Sequence, residues 1–314
     1  MNDSLQISPT AFSIAAVERD CGLTKDTLRV WERRYGFPRP GRDGYGERVY
    51  PAEQVDKLRL IKRLIDQGHR PGKIIGLATD ELQRLAGGPT RAALALRASA
   101  GESDPLAPFL ACVKSHALDA LRDGLAQALL RLGLARFVDE VVAPLNERVG
   151  AAWACGEFEV YEEHLYTESI QGVLRNAIRA IPQPAGETRR PLVLLTTLPQ
   201  EPHGIGLLMA EAIFALEGAR CVALGVQTPL WDIVQAAAAQ RVDVVALSFS
   251  ACLGPNQVFG SLAELRGKLD ATVEIWAGGA CAALHRRPPP GVRCFRSLDG
   301  IAPALAEWRA ARAG

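Results

Sequence analysis

The loop Pro199-Gln200-Glu201-Pro202-His203-Gly204-Ile205-Gly206 holds the densest group of chemistry-bearing residues in this 314-residue chain. It follows the apolar run Leu192 to Leu198, which reads as a buried strand, and leads into a helix beginning near Leu207. In an open α/β sheet ligands sit beyond the carboxyl ends of the strands, so His203 is expected at the mouth of the sheet. A carboxylate two residues earlier can orient one ring nitrogen and leave the other for a metal, while Gly206 permits close approach of backbone or ligand. By spacing alone the loop also reads as a helix-capping turn with an incidental histidine. Two later strand ends carry Ser248-Phe249-Ser250 and Gly278-Gly279.

The elements that must position this loop are legible in the hydrophobic pattern. PLVLLTTL, CVALGV, DVVALSFS and VEIWAGG are short apolar runs of the parallel-strand type, with helical segments at 204–218, 229–240 and 256–270 between them. That alternation predicts a doubly wound, Rossmann-like α/β domain over residues 185–314. Upstream, helical periodicity runs through Phe109 to Leu118, Leu121 to Leu132, Phe137 to Ala152 and Tyr161 to Ile181, broken at Gly133 and Gly156. Those four helices predict a bundle over residues 107–184. Within it Trp153 is followed after nine residues by Glu163-His164; taken alone, these are a core indole and a surface pair.

The N-terminal residues 1–82 have a different character. A short apolar helix is expected over residues 11–19 with a stop at Gly22, and Thr24 can cap a second helix from Lys25 to about Tyr35. Leu28 and Trp31 of that helix can face inward while Lys25, Arg29, Arg33 and Arg34 spread over the other side. Turn formers fill residues 36–46 and lead into Arg48-Val49-Tyr50, which describes a hairpin, or wing. A further helix follows from Ala52 with a stop at Gly68, and another after Pro71. Residues 19–73 carry fourteen Lys or Arg against eight Asp or Glu, in a chain whose net charge is +1. A basic end on an otherwise mildly acidic chain is the footprint of phosphate contact. Residues 83–106 read as a small-residue linker.

Composition excludes several classes. With 48% hydrophobic and 23% charged residues the chain is neither disordered nor fibrous. No apolar run approaches the roughly 18 residues of a membrane helix, and MNDSLQISPT lacks the order of a signal peptide, so a cytoplasmic location and no membrane partner are expected. Seven widely spaced cysteines without a CxxC pair read as reduced thiols, with Cys252 and Cys281 following strands near the crevice.

Three sets of residues carry a family resemblance. The run TLRVWERRYGFPRPGRDGYGERVYPAEQVDKLRLIKRL is similar to the winged helix-turn-helix of MerR-family transcription factors. This implies that Thr24, Thr27, Arg29 and Arg33, with Arg34 and Tyr35 beside them, read an operator in double-stranded DNA, while Arg42, Arg48 and Tyr50 reach phosphates. Glu201-x-His203-x-x-Gly206 resembles the Asp/Glu-x-His-x-x-Gly signature of cobalamin-binding domains, whose histidine replaces the cofactor's own base beneath cobalt. Ser248-Phe249-Ser250 and Gly278-Gly279 stand in that family's order, with Glu201 in place of the more usual Asp and Ser250 ending the middle motif. Trp153 with Glu163-His164 resembles the bundle signature of CarH/LitR-type photoreceptors, where the bundle covers the corrin and the indole lies beside the adenosyl group.

Together the resemblances imply a multidomain chain. It comprises a MerR-type winged helix (1–82), a linker (83–106), a four-helix bundle capping the cofactor (107–184) and an α/β cobalamin-binding domain (185–314). The implied protein is a light-responsive repressor, not an enzyme, with no protein substrate. It binds DNA as a homotetramer in darkness with adenosylcobalamin and releases it when light breaks the cobalt–carbon bond. Two alternatives stay open: a MerR-type regulator sensing redox or haem, and one whose C-terminal domain is a cobalamin-free interaction module.

Overall fold

The computed structural model describes residues 11–44, 46–66, 69–85, 104–182, 191–251 and 253–312, so Gly68, Cys252 and most of the expected linker lie outside the described residues. Packing divides the chain into two compact units, one of residues 1–102 and 151–158, the other of residues 103–150 and 159–314.

In the first unit the first described element is a strand where the sequence predicts a helix: β1 (Ala11–Ser13) pairs antiparallel with β3 (Arg48–Pro51), Phe12 opposite Tyr50. The helix begins only after Ser13, whose hydroxyl accepts the Ala16 N–H, and runs as α1 (Ile14–Cys21) to a left-handed Gly22. Thr24 caps α2 (Lys25–Tyr35) by accepting the Thr27 N–H, and Gly36 closes it in the same left-handed way. The wing is the hairpin of β2 (Gly41–Arg42) and β3, giving a three-stranded sheet in the order β1-β3-β2. Helix α3 (Ala52–Asp66) buries Val55, Leu58, Ile61 and Leu64 with Val17, Leu28, Trp31 and Tyr50 in one core. Short helices α4 (Pro71–Ile74) and α5 (Thr79–Leu85) follow.

The second unit contains α6 (Ala107–Lys114), α7 (Leu118–Leu132), α8 (Leu134–Phe137) and α10 (Val160–Ala180). A π turn at Val138–Val142 joins α8 to α9 (Ala143–Ala154), so the third expected helix is longer than its apolar periodicity and carries an irregularity in its middle. The sheet is wholly parallel, in the order β5 (Arg220–Gly225), β4 (Leu192–Thr196), β6 (Val244–Phe249), β7 (Glu274–Gly279), β8 (Val292–Phe295). Winding reverses between β4 and β6, and this switch point opens the crevice beyond their carboxyl ends. On one face Val193, Leu195, Val244, Ala246 and Trp276 pack with Phe214 of α11 (Ile205–Leu216) and with Ile301 and Leu305 of the final helix. On the other Leu194, Val245, Leu247 and Ile275 pack with Ile233, Val258 and Leu262. Each such fully buried side chain contributes about 1.5–3 kcal/mol, so the sheet fixes its strand ends firmly.

Candidate functional site

The loop after β4 is built around a buried carboxylate. Glu201 has a side chain 0% exposed, whereas that of His203 is 60% exposed. His203 Nδ1 lies 2.7 Å from Glu201 Oε1, and the His203 backbone N–H also donates to Oε1 at 3.1 Å. Ser250, at the end of β6, donates its N–H at 2.8 Å and its hydroxyl at 2.8 Å to Glu201 Oε2. Thr197 Oγ donates to the Glu201 carbonyl at 2.6 Å and so ties the loop to its own strand. Burial alone pushes the Glu201 carboxyl up, but the bonds from His203 and Ser250 outweigh it and hold the group below the ordinary carboxylate range. An ionised Glu201 accepts the hydrogen bond of Nδ1–H, which leaves Nε2 as the ring nitrogen bearing the lone pair.

Two predictions arise from this relay. Because the folded Glu201 value lies below its ordinary 4.5, its stabilisation is whole above that value and is lost as pH falls through the folded one. The stability gap between wild type and Glu201→Gln in urea denaturation is therefore expected to stay constant above about pH 5 and close towards acid; a gap that widens towards acid contradicts the assignment. Ser250→Ala removes the hydroxyl bond and is expected to weaken any metal held by His203 by roughly 10–100-fold, read by ligand titration. An unchanged affinity would count against the relay.

His203, Gly206, Ser248, Ser250, Gly278 and Gly279 all line one cavity of about 440 Å³. Sequence reasoning thus named six residues that the fold brings together, with Glu201 behind them. A Cβ at Gly206 would stand 2.8 Å from Ser248 Oγ, so the glycine leaves that hydroxyl its place in the cavity. The floor of the cavity is aromatic: Trp276 stands between Phe214 and Phe295, with ring centroids at 5.8 and 5.3 Å. Asp139, Asn146 and Glu147 add a polar wall from the π turn and α9. The sequence carried no motif for these residues, since which face of a helix meets a cavity is decided by packing.

Glu163 on α10 accepts the Thr167 hydroxyl at 2.7 Å, and His164 Nε2 lies 3.6 Å from Glu163 on an exposed position. Trp153 belongs to the first unit, where it packs on the core of Val17, Leu28 and Trp31. Neither Glu163 nor His164 lines the His203 cavity.

In the first unit Thr24, Arg29, Arg33, Arg34 and Arg42 are exposed, Thr27 and Tyr35 half-buried. The Thr24 and Thr27 hydroxyls meet at 2.8 Å, Arg29 pairs with Asp26 at 3.2 Å, and Arg34 lies over the Tyr35 ring at 5.3 Å. Arg42 donates to the Gly46 carbonyl and so shapes the wing tip. Arg48 Nε donates to Glu32 at 2.9 Å and joins the wing to α2. Tyr50 corrects the sequence reading: it is 0% exposed and its hydroxyl is buried, because β3 turns that side chain into the core. It cannot reach a phosphate. Burial raises the Cys21 thiol to about 12 and pushes Cys155 and Cys294 up as well, the reverse of what a thiolate sensor requires.

Comparison with known proteins agrees with both halves of this geometry. Residues 12–81 match the MerR HTH family regulatory proteins, and residues 106–177 and 191–296 match two families of B12 binding domain. The HTH-type transcriptional repressor CarH of Myxococcus xanthus is 32% identical over 270 residues, 84% of this chain and 87% of that protein. CarA, a second HTH-type transcriptional repressor of M. xanthus, is 31% identical over 87% of this chain and 88% of its own. The HTH-type transcriptional regulator MlrA of Escherichia coli (strain K12) is 37% identical over 70 residues, 22% of this chain and 29% of its own.

Proposed function

The chain belongs to the MerR-family cobalamin-binding transcriptional regulators, and from that premise we propose that it is a light-responsive repressor governed by adenosylcobalamin. The observation that carries the cofactor half is the Ser250–Glu201–His203 relay at the mouth of a glycine-edged cavity. His203 Nε2 is the atom assigned to cobalt, and Glu201 fixes the tautomer and direction of the ring. Gly206, Ser248, Gly278 and Gly279 admit the cofactor's tail, with Trp276, Phe214 and Phe295 as its floor. Once bound, the group supplies a cobalt–carbon bond that light breaks. Trp153 offers that upper ligand a broad apolar surface, Glu163 and His164 polar contacts. Ala154 follows Trp153, so His164 is the bundle imidazole available after illumination.

For DNA, the exposed face of α2 with Thr24, Arg29 and Arg33 is assigned to the major groove, and Arg42 and Arg48 to the backbone. Joining winged helices in a tetramer in darkness multiplies the affinity for one operator. Light then acts only because the adenosyl group favours one assembly over the other; a ligand indifferent to both shifts nothing. The modules proposed are residues 1–82 for DNA, 107–184 for the bundle and 185–314 for cobalamin, acting together in the cytoplasm.

The test is an absorption spectrum of the full chain loaded with adenosylcobalamin in darkness and then illuminated, with sizing of both samples. The reading expects the spectrum of a corrinoid whose own base is displaced, a photolysis change, and a smaller particle after light. A colourless protein overturns the cofactor reading, and one particle size under both conditions overturns the switch.

A further inference from the structure

Arg63 is a cation in an unusual place. It lies on α3, 6% exposed, between the core positions Ile61 and Leu64. Its guanidinium stands over the Trp153 indole with 5.0 Å to the ring centroid, and Nη1 donates to the Trp153 carbonyl oxygen at 2.7 Å. The chain turns just beyond, at Gly156 with φ +80°, and a Cβ there would come within 3.6 Å of the same Nη1. Trp153 and Cys155 pack on the apolar cluster of Val17, Leu28 and Trp31, which fastens residues 151–158 to the DNA-reading unit. A buried guanidinium is costly unless it is stacked and hydrogen-bonded, and Trp153 supplies both.

We infer that Arg63 and Trp153 form a latch that competes with the cofactor's upper ligand for the indole, so that uptake of an adenosyl-bearing corrinoid releases residues 151–158 from the DNA-reading unit. The inference rests on the assignment of Trp153 to that ligand. The Arg63 guanidinium covers one face of the indole, so a ligand that needs that face must first displace it. The apparent affinity for such a ligand is reduced by the fraction of chains with the latch open, whereas a corrinoid that makes no demand on Trp153 is unaffected. Arg63 thereby sets discrimination between corrinoids by their upper substituent and places that choice within the unit that binds DNA.

The test compares wild type with Arg63→Met, which keeps the apolar stem but has no donor, and with Arg63→Lys, which keeps the charge without the planar fork. Full-length proteins are titrated in darkness with adenosylcobalamin and, separately, with hydroxocobalamin, following absorption. Arg63→Met is expected to bind adenosylcobalamin about tenfold more tightly than wild type and hydroxocobalamin equally, with Arg63→Lys between them. An adenosyl-to-hydroxo affinity ratio identical in all three overturns the latch while leaving cobalamin binding intact. Failure of wild type to bind either corrinoid overturns the cofactor reading and the latch with it. Wild type alone gives a second readout that does not depend on a variant folding: phenylglyoxal labelling at Arg63, followed by peptide mass spectrometry. Labelling is expected to rise with adenosylcobalamin in darkness and not with hydroxocobalamin; equal labelling in both contradicts the latch.

Discussion

His203→Ala is expected to lower corrinoid affinity by at least about 100-fold, because losing a partner that merely orients a metal ligand already costs roughly 10–100-fold and here the ligand itself goes. The cofactor that still binds at high concentration should keep its own base on cobalt, visible as a shifted absorption spectrum. The substitution also strips the imidazole from a carboxylate that is 0% exposed, while the backbone N–H of position 203 and Ser250 still donate to it. Some stability is therefore lost beyond the cofactor effect, and more of it at neutral pH than in acid, where Glu201 becomes protonated. A variant with wild-type affinity and spectrum would remove His203 from the cobalt.

Gly279→Ala is expected to be the most destabilising of the single-methyl changes at the site. Gly279 ends β7 at φ +116°, a conformation that side chains rarely adopt, and a Cβ there would collide with the Phe249 carbonyl oxygen of the neighbouring strand. That oxygen is backbone, held by the Ala280 N–H at 2.8 Å, and Phe249 is paired in register with Gly279, so neither can step aside. Strain and clash together should cost about 3 kcal/mol or more, read as a lowered urea midpoint. They should also disturb the adjoining Ser250 and hence the hold on Glu201. Gly206→Ala is the useful contrast, since what its Cβ meets is the rotatable Ser248 hydroxyl. Stability should fall little there while the cavity narrows. A Gly279→Ala protein within about 0.5 kcal/mol of wild type, the range of an unremarkable surface change, would contradict the argument.

Much of the site was legible because its determinants are local. A strand followed by Glu201-x-His203-x-x-Gly206 fixes the loop, and the Ser248, Ser250 and Gly278-Gly279 motifs fall at strand ends that alternation of apolar runs already locates. Motif order cannot say what each polar atom does. Ser250 read as a departure from a family pattern, yet the fold gives its hydroxyl and N–H to Glu201, which only the switch-point neighbourhood of β4 and β6 could reveal. Tyr50 failed in the other direction. Two residues after Arg48 on a basic wing it looked like a DNA contact, but pairing with β1 sets Tyr50 opposite Phe12 and buries it in the core. The strand β1 reads as helix in the sequence because Ala11 and Phe12 share the apolar character of α1; Ser13 as a cap is the signal that separates them. Strand β8, four half-buried residues, lacked a continuous apolar run to betray it. Arg63 among the leucines of α3 looked like one more basic residue, since its partner lies ninety positions away.

The claim on which the whole account depends is that a nitrogen of His203 holds cobalt. The most direct measurement is the electron paramagnetic resonance spectrum of the protein loaded with the cobalt(II) corrinoid, prepared once with ordinary histidine and once with histidine labelled with nitrogen-15 in the ring. The unpaired electron of cobalt couples to the axial nitrogen, so each cobalt line splits into three for nitrogen-14 and two for nitrogen-15. The account predicts that labelling histidine turns the triplets into doublets and that His203→Ala abolishes the change. Triplets that persist in the labelled protein would mean that the corrinoid retains its own base and that the imidazole at position 203 does other work.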